Sequence, residues 1–316
     1  MILLLIIFIV GILLLLKCAD VFVDGASNLA KRFGVSTIVI GFTVVAFGTS
    51  LPELVVSMGA ALSGSSDLAL GNVIGSNVAN IGLVLGICSL LAPQIWGGKD
   101  KKKPILELTL MLAATAIFIL LALNGMFSRV EGVMLLLLFA IALFIIWKSV
   151  KTEEASKPDD DTQSKPARFE YHDVWMTILG FAGVIIGAQM VVSSAEEIAR
   201  MFGVSEFIIG VTIVAVGTSL PELVTSVVAI LKKEFAISAG NILGSNLFNC
   251  FMVIGASASI LPIIVQNLND LVLLAIFTVA VLPLLTARTI ITRTWGGVLL
   301  IGYVGYILYY AGVLTL

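Results

Sequence analysis

The octapeptide Gly48-Thr49-Ser50-Leu51-Pro52-Glu53-Leu54-Val55 occurs a second time, unchanged, as Gly217-Thr218-Ser219-Leu220-Pro221-Glu222-Leu223-Val224. Each copy sets a carboxylate, two hydroxyls and a proline inside a run that is otherwise apolar enough to lie in a bilayer. An ionisable side chain at that depth is costly and marks function by default. Pro52 and Pro221 cannot donate to the carbonyl four residues back, and their rings crowd it, so a break or kink is expected at each. Backbone oxygens around residues 46–49 should be freed, which is tolerated in a membrane only where they face protein or a water-filled cavity. A carboxylate, hydroxyls and loosened carbonyls make an all-oxygen environment suited to hard cations. Two such points in one chain imply a single shared site.

Helical spacing extends both motifs. Ala46, Ser50, Glu53 and Ser57 fall on one face, joined by Thr49, and the second copy repeats the stripe as Ala215, Ser219, Glu222 and Ser226 with Thr218. A later span carries Asn72, Ser76 and Asn80 inside Gly71-Asn72-Val73-Ile74-Gly75-Ser76-Asn77, answered by Asn241, Ser245 and Asn249 inside Gly240-Asn241-Ile242-Leu243-Gly244-Ser245-Asn246. Small and hydroxylated residues in spans also serve as glue between helices, an alternative for Ser57, Ser226, Asn72 and Asn241. For the glutamates the alternative is a protonated or paired structural carboxyl, but no lysine or arginine lies nearby on these four spans.

The elements that position these residues follow from composition. Of 316 residues, 59% are hydrophobic and 12% charged, which marks a polytopic helical membrane protein. Ten spans are expected near 2–31, 37–62, 68–92, 105–123, 129–149, 174–200, 206–231, 236–263, 268–287 and 294–315. The run 2–16 lacks a basic start and a small-residue cleavage site, so it is read as the first span. Cys18, Cys88 and Cys250 lie in apolar segments without metal-ligand spacing and read as small buried hydrophobes. A hydrophilic stretch at 151–173 separates two halves, 1–150 and 174–316, of five spans each.

The halves repeat. A shift of 169 positions aligns residues 34–93 with 203–262 without a gap, with 28 identities in 60 positions. Five spans per half is odd, so the second half enters the membrane from the opposite side. Such inverted-topology repeats place a transporter's site at mid-membrane between the halves. Connections on one side hold fifteen lysines and arginines, against Arg129 and Arg200 on the other. The positive-inside rule then predicts a multi-pass cell-membrane protein with both termini outside the cytoplasm and residues 151–173 on the cytoplasmic side.

The duplicated Gly-Thr-Ser-Leu-Pro-Glu and Gly-Asn-x-x-Gly-Ser-Asn motifs resemble the α-repeats of the sodium/calcium exchangers, within the calcium/cation antiporter superfamily. The resemblance spans essentially the whole chain. It implies an all-α protein of ten transmembrane helices in two inverted five-helix repeats, with four ion sites around the glutamates. It further implies Ca2+ ligands at Glu53, Glu222, Thr49 and Thr218. For Na+ it implies those carboxylates, the backbone oxygens of Ala46 and Ala215, and the hydroxyls of Ser50, Ser76, Ser219 and Ser245. Asn80 and Asn249 would complete a central position, and the first and sixth helices would slide as a gate. The implied activity is Na+/Ca2+ antiport by alternating access. No enzyme activity, cofactor, nucleic acid or obligatory protein partner is expected, and the chain should work as a monomer in the lipid bilayer. The large cytosolic calcium-binding domains of animal exchangers have no counterpart here, so regulation of that kind is not expected.

Some relatives, including the potassium-dependent branch, carry aspartate where this chain has Asn249. With amides at both central positions, two carboxylates balance one Ca2+, and no potassium requirement is expected. Proton/calcium exchange is the rival reading. Its members show Gly-Asn-x-x-Glu, where this chain has Gly75 and Gly244. An intramembrane protease needs two close carboxyls activating water, and the symmetric hydroxyl-lined stripes offer no evident substrate gate. A passive channel would conduct without a counter-ion. Lys17, Asp20 and Asp24 share a face of the first span and read as mutually compensating or facing water. Asp159, Asp160 and Asp161 read as a solvated linker, and His172 sits at its edge.

Overall fold

The computed structural model describes residues 1–96, 104–155, 171–204, 209, 213, 215–286 and 289–312. Helices α1 (Ile2–Phe33), α2 (Thr37–Thr49), α3 (Leu51–Leu62), α4 (Ser66–Leu91), α5 (Ile105–Ala122) and α6 (Arg129–Ala155) form the first half. The second holds α7 (Tyr171–Met201), α8 (Ala215–Thr218), α9 (Leu220–Leu231), α10 (Phe235–Ile260), α11 (Leu268–Val279), α12 (Leu282–Thr286) and α13 (Thr289–Tyr310). The chain is a polytopic all-α membrane protein whose ten spans form two inverted five-helix repeats. Two spans are broken as the prolines require. α2 and α3 are one span bent by 44°, and α8 and α9 part at the matching position.

The inversion is visible where the first helices of the halves meet. Gly11 of α1 packs against Met190 of α7, Leu15 against Gly187, Phe22 against Gly180 and Gly25 against Thr177, so these equivalent helices run antiparallel. Glycine allows this approach: a Cβ on Gly180 would lie 2.6 Å from the Phe22 amide nitrogen. Arg32 and Asp173 close one end of the pair as an ion pair, and Asn28 Nδ2 donates to Asp173 Oδ1 at 3.2 Å. Asp173 thus lies in the described part of α7, and this pairing shelters it. Residues 156–170, with Asp159 to Asp161, lie outside the described residues.

Helix ends repeat between halves. Gly34 and Gly203 take left-handed φ of 68° and 76°, and Val35 and Val204 donate back to Ala30 and Ala199 at 3.0 and 3.1 Å. The α3–α4 turn uses Gly64 at φ 76°, whereas its counterpart is Lys233 at φ 63°. α13 is helical over Thr289–Tyr310, and left-handed Gly312 (φ 70°) lies just past its end.

Burial sorts core from lipid-facing helices. The apolar window of α10 is 94% buried and that of α4 78%, against 17% for α1. The two motif-bearing helices therefore form the centre of the bundle. A two-residue antiparallel pairing, β1 (Met126–Phe127) with β2 (Ile263–Ile264), ties a loop of each half together.

Two substitutions test this packing. Gly180→Val should lower the melting temperature in detergent, by ~1–3 kcal/mol of stability, because α1 must move off α7. Lys233→Gly should raise stability by roughly 1 kcal/mol by relieving a left-handed non-glycine residue.

Candidate functional site

Glu53 and Glu222 lie in the first turns of α3 and α9, each just past a helix break. The break residues share one geometry: Ser50 at φ −91°, ψ 7° and Ser219 at φ −88°, ψ 7°. A helix N-terminus carries partial positive charge, so two half-helices present favourable dipole ends to the two carboxylates. Each such end contributes about 0.3–1 kcal/mol at an exposed site, far below what a buried carboxylate needs.

Both glutamates are fully buried, 0% exposed, and close enough to feel each other's charge. Ser50 Oγ donates to Glu222 Oε1 at 3.0 Å across the halves. Three of the four carboxylate oxygens, both of Glu53 and Oε2 of Glu222, have no hydrogen-bond partner among the described residues. The site therefore gathers carboxyl oxygens that the described residues leave mostly without hydrogen-bond partners.

Around the glutamates the predicted ligands gather. Thr49 Oγ1 lies 3.0 Å from Asn241 Oδ1 and 3.4 Å from Ser245 Oγ, so α2 reaches α10 directly. Ser76 on α4 faces Glu53, and neither Ser76 nor Ser219 has a hydroxyl partner among the described residues. Thr218 and Ser76 both line a cleft of about 300 Å³ that extends to Asp270, Tyr306 and Tyr310. A smaller hollow of about 180 Å³ holds Asp67, Gln266 and Asn267 and shares Gly71 and Asp270 with that cleft. Asn80 and Asn249 are fully buried and open short π-helical segments, Asn80–Leu85 and Asn249–Val253, of the kind often found at functional sites. Ala215 is placed by its backbone at the start of α8.

The structure changes some of these expectations. The Ala46 carbonyl is not freed: it accepts the Ser50 N–H at 3.1 Å and lies 3.4 Å from Thr49 Oγ1. Proline removes the bond to Gly48 and leaves the previous one intact, so an ion at Ala46 would share an already occupied oxygen. Asn72 and Asn241 are more than helix glue. Asn72 Nδ2 donates to the Glu53 carbonyl at 3.1 Å and to Ser57 Oγ at 2.8 Å. Asn241 Nδ2 does the same for the Glu222 carbonyl at 3.4 Å and Ser226 Oγ at 2.9 Å. Both asparagines thus hold a glutamate's backbone from the neighbouring helix. Asp20 and Asp24 are compensated by Lys232, whose Nζ lies 2.8 and 2.6 Å from them, rather than by Lys17. Burial disfavours the Lys232 charge, but the hydrogen bonds and charges of the two aspartates outweigh it and hold the ammonium above its ordinary range. Asn77, quoted above as part of a motif without a role, bonds to Asn249.

Among the described residues no group of three or more His, Cys, Asp or Glu forms. The charge of the site comes from two carboxylates, and its remaining donors are neutral oxygens. Inverted repeats, paired broken helices and buried acids at their crossing define a secondary transporter for cations, not an enzyme. Residues 3–148 and 172–312 match the family described as sodium/calcium exchanger protein. The chain belongs to the sodium/calcium exchanger family and is a cation/Ca2+ antiporter. It is 39% identical over 259 residues to inner membrane protein YrbG of Escherichia coli, covering 80% of this chain and 79% of that one. It is 31% identical to sodium/calcium exchanger MaX1 of Methanosarcina acetivorans, covering 93% of this chain and 94% of the relative. A solved structure of the sodium-calcium exchanger NCX_Mj superposes with a TM-score of 0.83 at 30% identity, covering 97% and 98% of the two chains.

Asn241→Ala should leave the Ser226 hydroxyl and the Glu222 carbonyl unpaired, costing about 1–3 kcal/mol of stability. Thermal unfolding in detergent measures this, and Asn72→Ala should behave alike.

Proposed function

We propose that the chain exchanges Na+ for Ca2+, with one Ca2+ or several Na+ held between Glu53 and Glu222. The observation that carries this is the pair of buried carboxylates, one from each half, whose oxygens mostly lack hydrogen-bond partners among the described residues. Two negative charges match one divalent ion, and six to eight oxygens are what Ca2+ takes. Thr49 and Thr218 complete the calcium set. The oxygens of Ala46 and Ala215, with Ser50, Ser76, Ser219 and Ser245, serve Na+, and Asn80 and Asn249 form the central position. The names of MaX1 and NCX_Mj, both sodium/calcium exchangers, support the same pairing of ions.

Exchange rather than leak follows from electrostatics. An empty, doubly negative site cannot be sealed from water cheaply, since burying unpaired charge costs several kcal/mol per ion. The protein crosses between its two states when loaded and stalls when empty. By the lysine and arginine distribution, residues 1–150 and 174–316 are the two halves, their connection is cytoplasmic and both termini are outside. The cleft from Ser76 to Asp270 and the hollow at Asp67 then open toward the outer face. The chain acts as a monomer, and the sodium gradient drives Ca2+ out of the cell.

Sodium-loaded proteoliposomes should accumulate radioactive calcium, without added potassium and without a pH gradient. Glu53→Gln or Glu222→Gln should lose on the order of 3 kcal/mol of ion binding, about a hundredfold in affinity, and uptake should collapse. Uptake driven by a pH gradient with sodium absent would establish proton exchange instead. Flux without any counter-ion would establish a channel.

A further inference from the structure

The central amides are ordered by a chain of hydrogen bonds that runs in one direction. It starts at the backbone carbonyl of Asn246, which can only accept. Asn77 Nδ2 faces that oxygen at 3.5 Å and also lies 3.1 Å from Cys250 Sγ. With its nitrogen committed there, Asn77 offers its oxygen on the other side, and Asn249 Nδ2 donates to it at 3.1 Å. The consequence falls on Asn249. Its nitrogen is occupied, so its Oδ1 is the atom left over, buried and without a partner among the described residues.

The repeat shows that this order is specific. The equivalent of the Asn77–Asn249 pair is Asn246 with Asn80. Asn246 instead turns its Nδ2 back onto the Ile242 carbonyl of its own helix at 2.7 Å. Asn246 Oδ1 and both amide atoms of Asn80 then remain without partners among the described residues. One central amide is therefore pinned and its mate is left to turn. A buried amide without partners is costly, and such a contrast between equivalent positions is not a product of shared sequence.

We infer that Asn77 is a positioning and specificity-determining residue, which holds Asn249 with its amide oxygen offered to the transported ion. This rests on the ion-exchange reading above and adds to it a reason for the ion preference. Asn249 Oδ1 is neutral and takes no proton at working pH, so position 249 contributes a cation ligand without an exchangeable proton. Neutral oxygens matter more to Na+ than to Ca2+ here. The two carboxylates already neutralise one Ca2+, whereas several Na+ ions sharing two charges must draw the rest of their coordination from uncharged groups. Releasing Asn249 lets its nitrogen compete for the position and weakens sodium first.

The test compares half-saturating Na+ and Ca2+ in proteoliposomes for wild type, Asn77→Ala, Cys250→Ala and Glu53→Gln. Asn77→Ala should raise half-saturating Na+ by roughly fivefold relative to that for Ca2+, the worth of about one hydrogen-bonded ligand. Cys250→Ala removes a neighbour of the Asn77 nitrogen but leaves the Asn246 carbonyl, and should keep the wild-type ratio. Asn77→Ser, whose hydroxyl is too short to reach Asn249, gives the same readout should Asn77→Ala fail to fold. An unchanged Na+/Ca2+ ratio, with both constants moving together or the maximal rate alone falling, would overturn the role of Asn77. Retained transport in Glu53→Gln would overturn the ion-exchange reading itself, so the two failures are told apart.

Discussion

Two buried carboxyls whose oxygens mostly lack partners among the described residues govern this structure. Glu53 and Glu222 are removed from water and approach each other from opposite halves, and Ser50 Oγ donates to Glu222 across the halves. An isolated buried carboxylate costs more than a helix dipole or a hydroxyl returns. On the proposed exchange reading, a cation completes the pair. The broken helices, the asparagines bracing the glutamate backbones and the enclosed α4 and α10 together hold these acids in place.

Pseudo-symmetry explains how one chain builds such a site, and its exceptions show how the two faces differ. Lys232 binds Asp20 and Asp24, and Ser27 Oγ donates to Glu234 Oε1 at 2.7 Å, fastening α1 to the turn before α10. The equivalent positions carry Ser63, Gln189 and Ser193 for the charged trio, and Ser65 for Glu234. No matching ion pair can form there. The central amides diverge likewise, with Asn249 tied to Asn77 and Asn80 untied. Duplicated side chains thus give the two halves a common geometry, and unduplicated ones set the halves apart.

Much of this was readable beforehand because it is written in local chemistry. Pro52 and Pro221 announce the breaks, hydropathy announces the spans, and the 169-residue shift announces the inversion that Gly11, Phe22 and Gly25 of α1 then display against α7. What escaped depends on partners distant in sequence. Asn77 carries no mark distinguishing it from Asn72 or Asn80 until Asn246 and Asn249 are beside it. Lys232 lies more than two hundred positions from Asp20, so its pairing with Asp20 and Asp24 has no local sign along α1, where the trio reads as mutually compensating or facing water. The π-helical segments opening at Asn80 and Asn249 have no sequence signature, since a single wide turn needs no special residue. The Ala46 carbonyl was misjudged because proline deletes one bond of the ladder and leaves its neighbours intact.

A direct look at the bound ion decides the matter. Crystals of the purified protein soaked in strontium, a heavier divalent stand-in for calcium, can be mapped by anomalous scattering. One strong peak between the carboxylates of Glu53 and Glu222, fading as sodium is raised, is the predicted result. A peak confined to the Asp67 and Asp270 hollow, or none within the membrane, would contradict the idea that these two acids grip the transported ion.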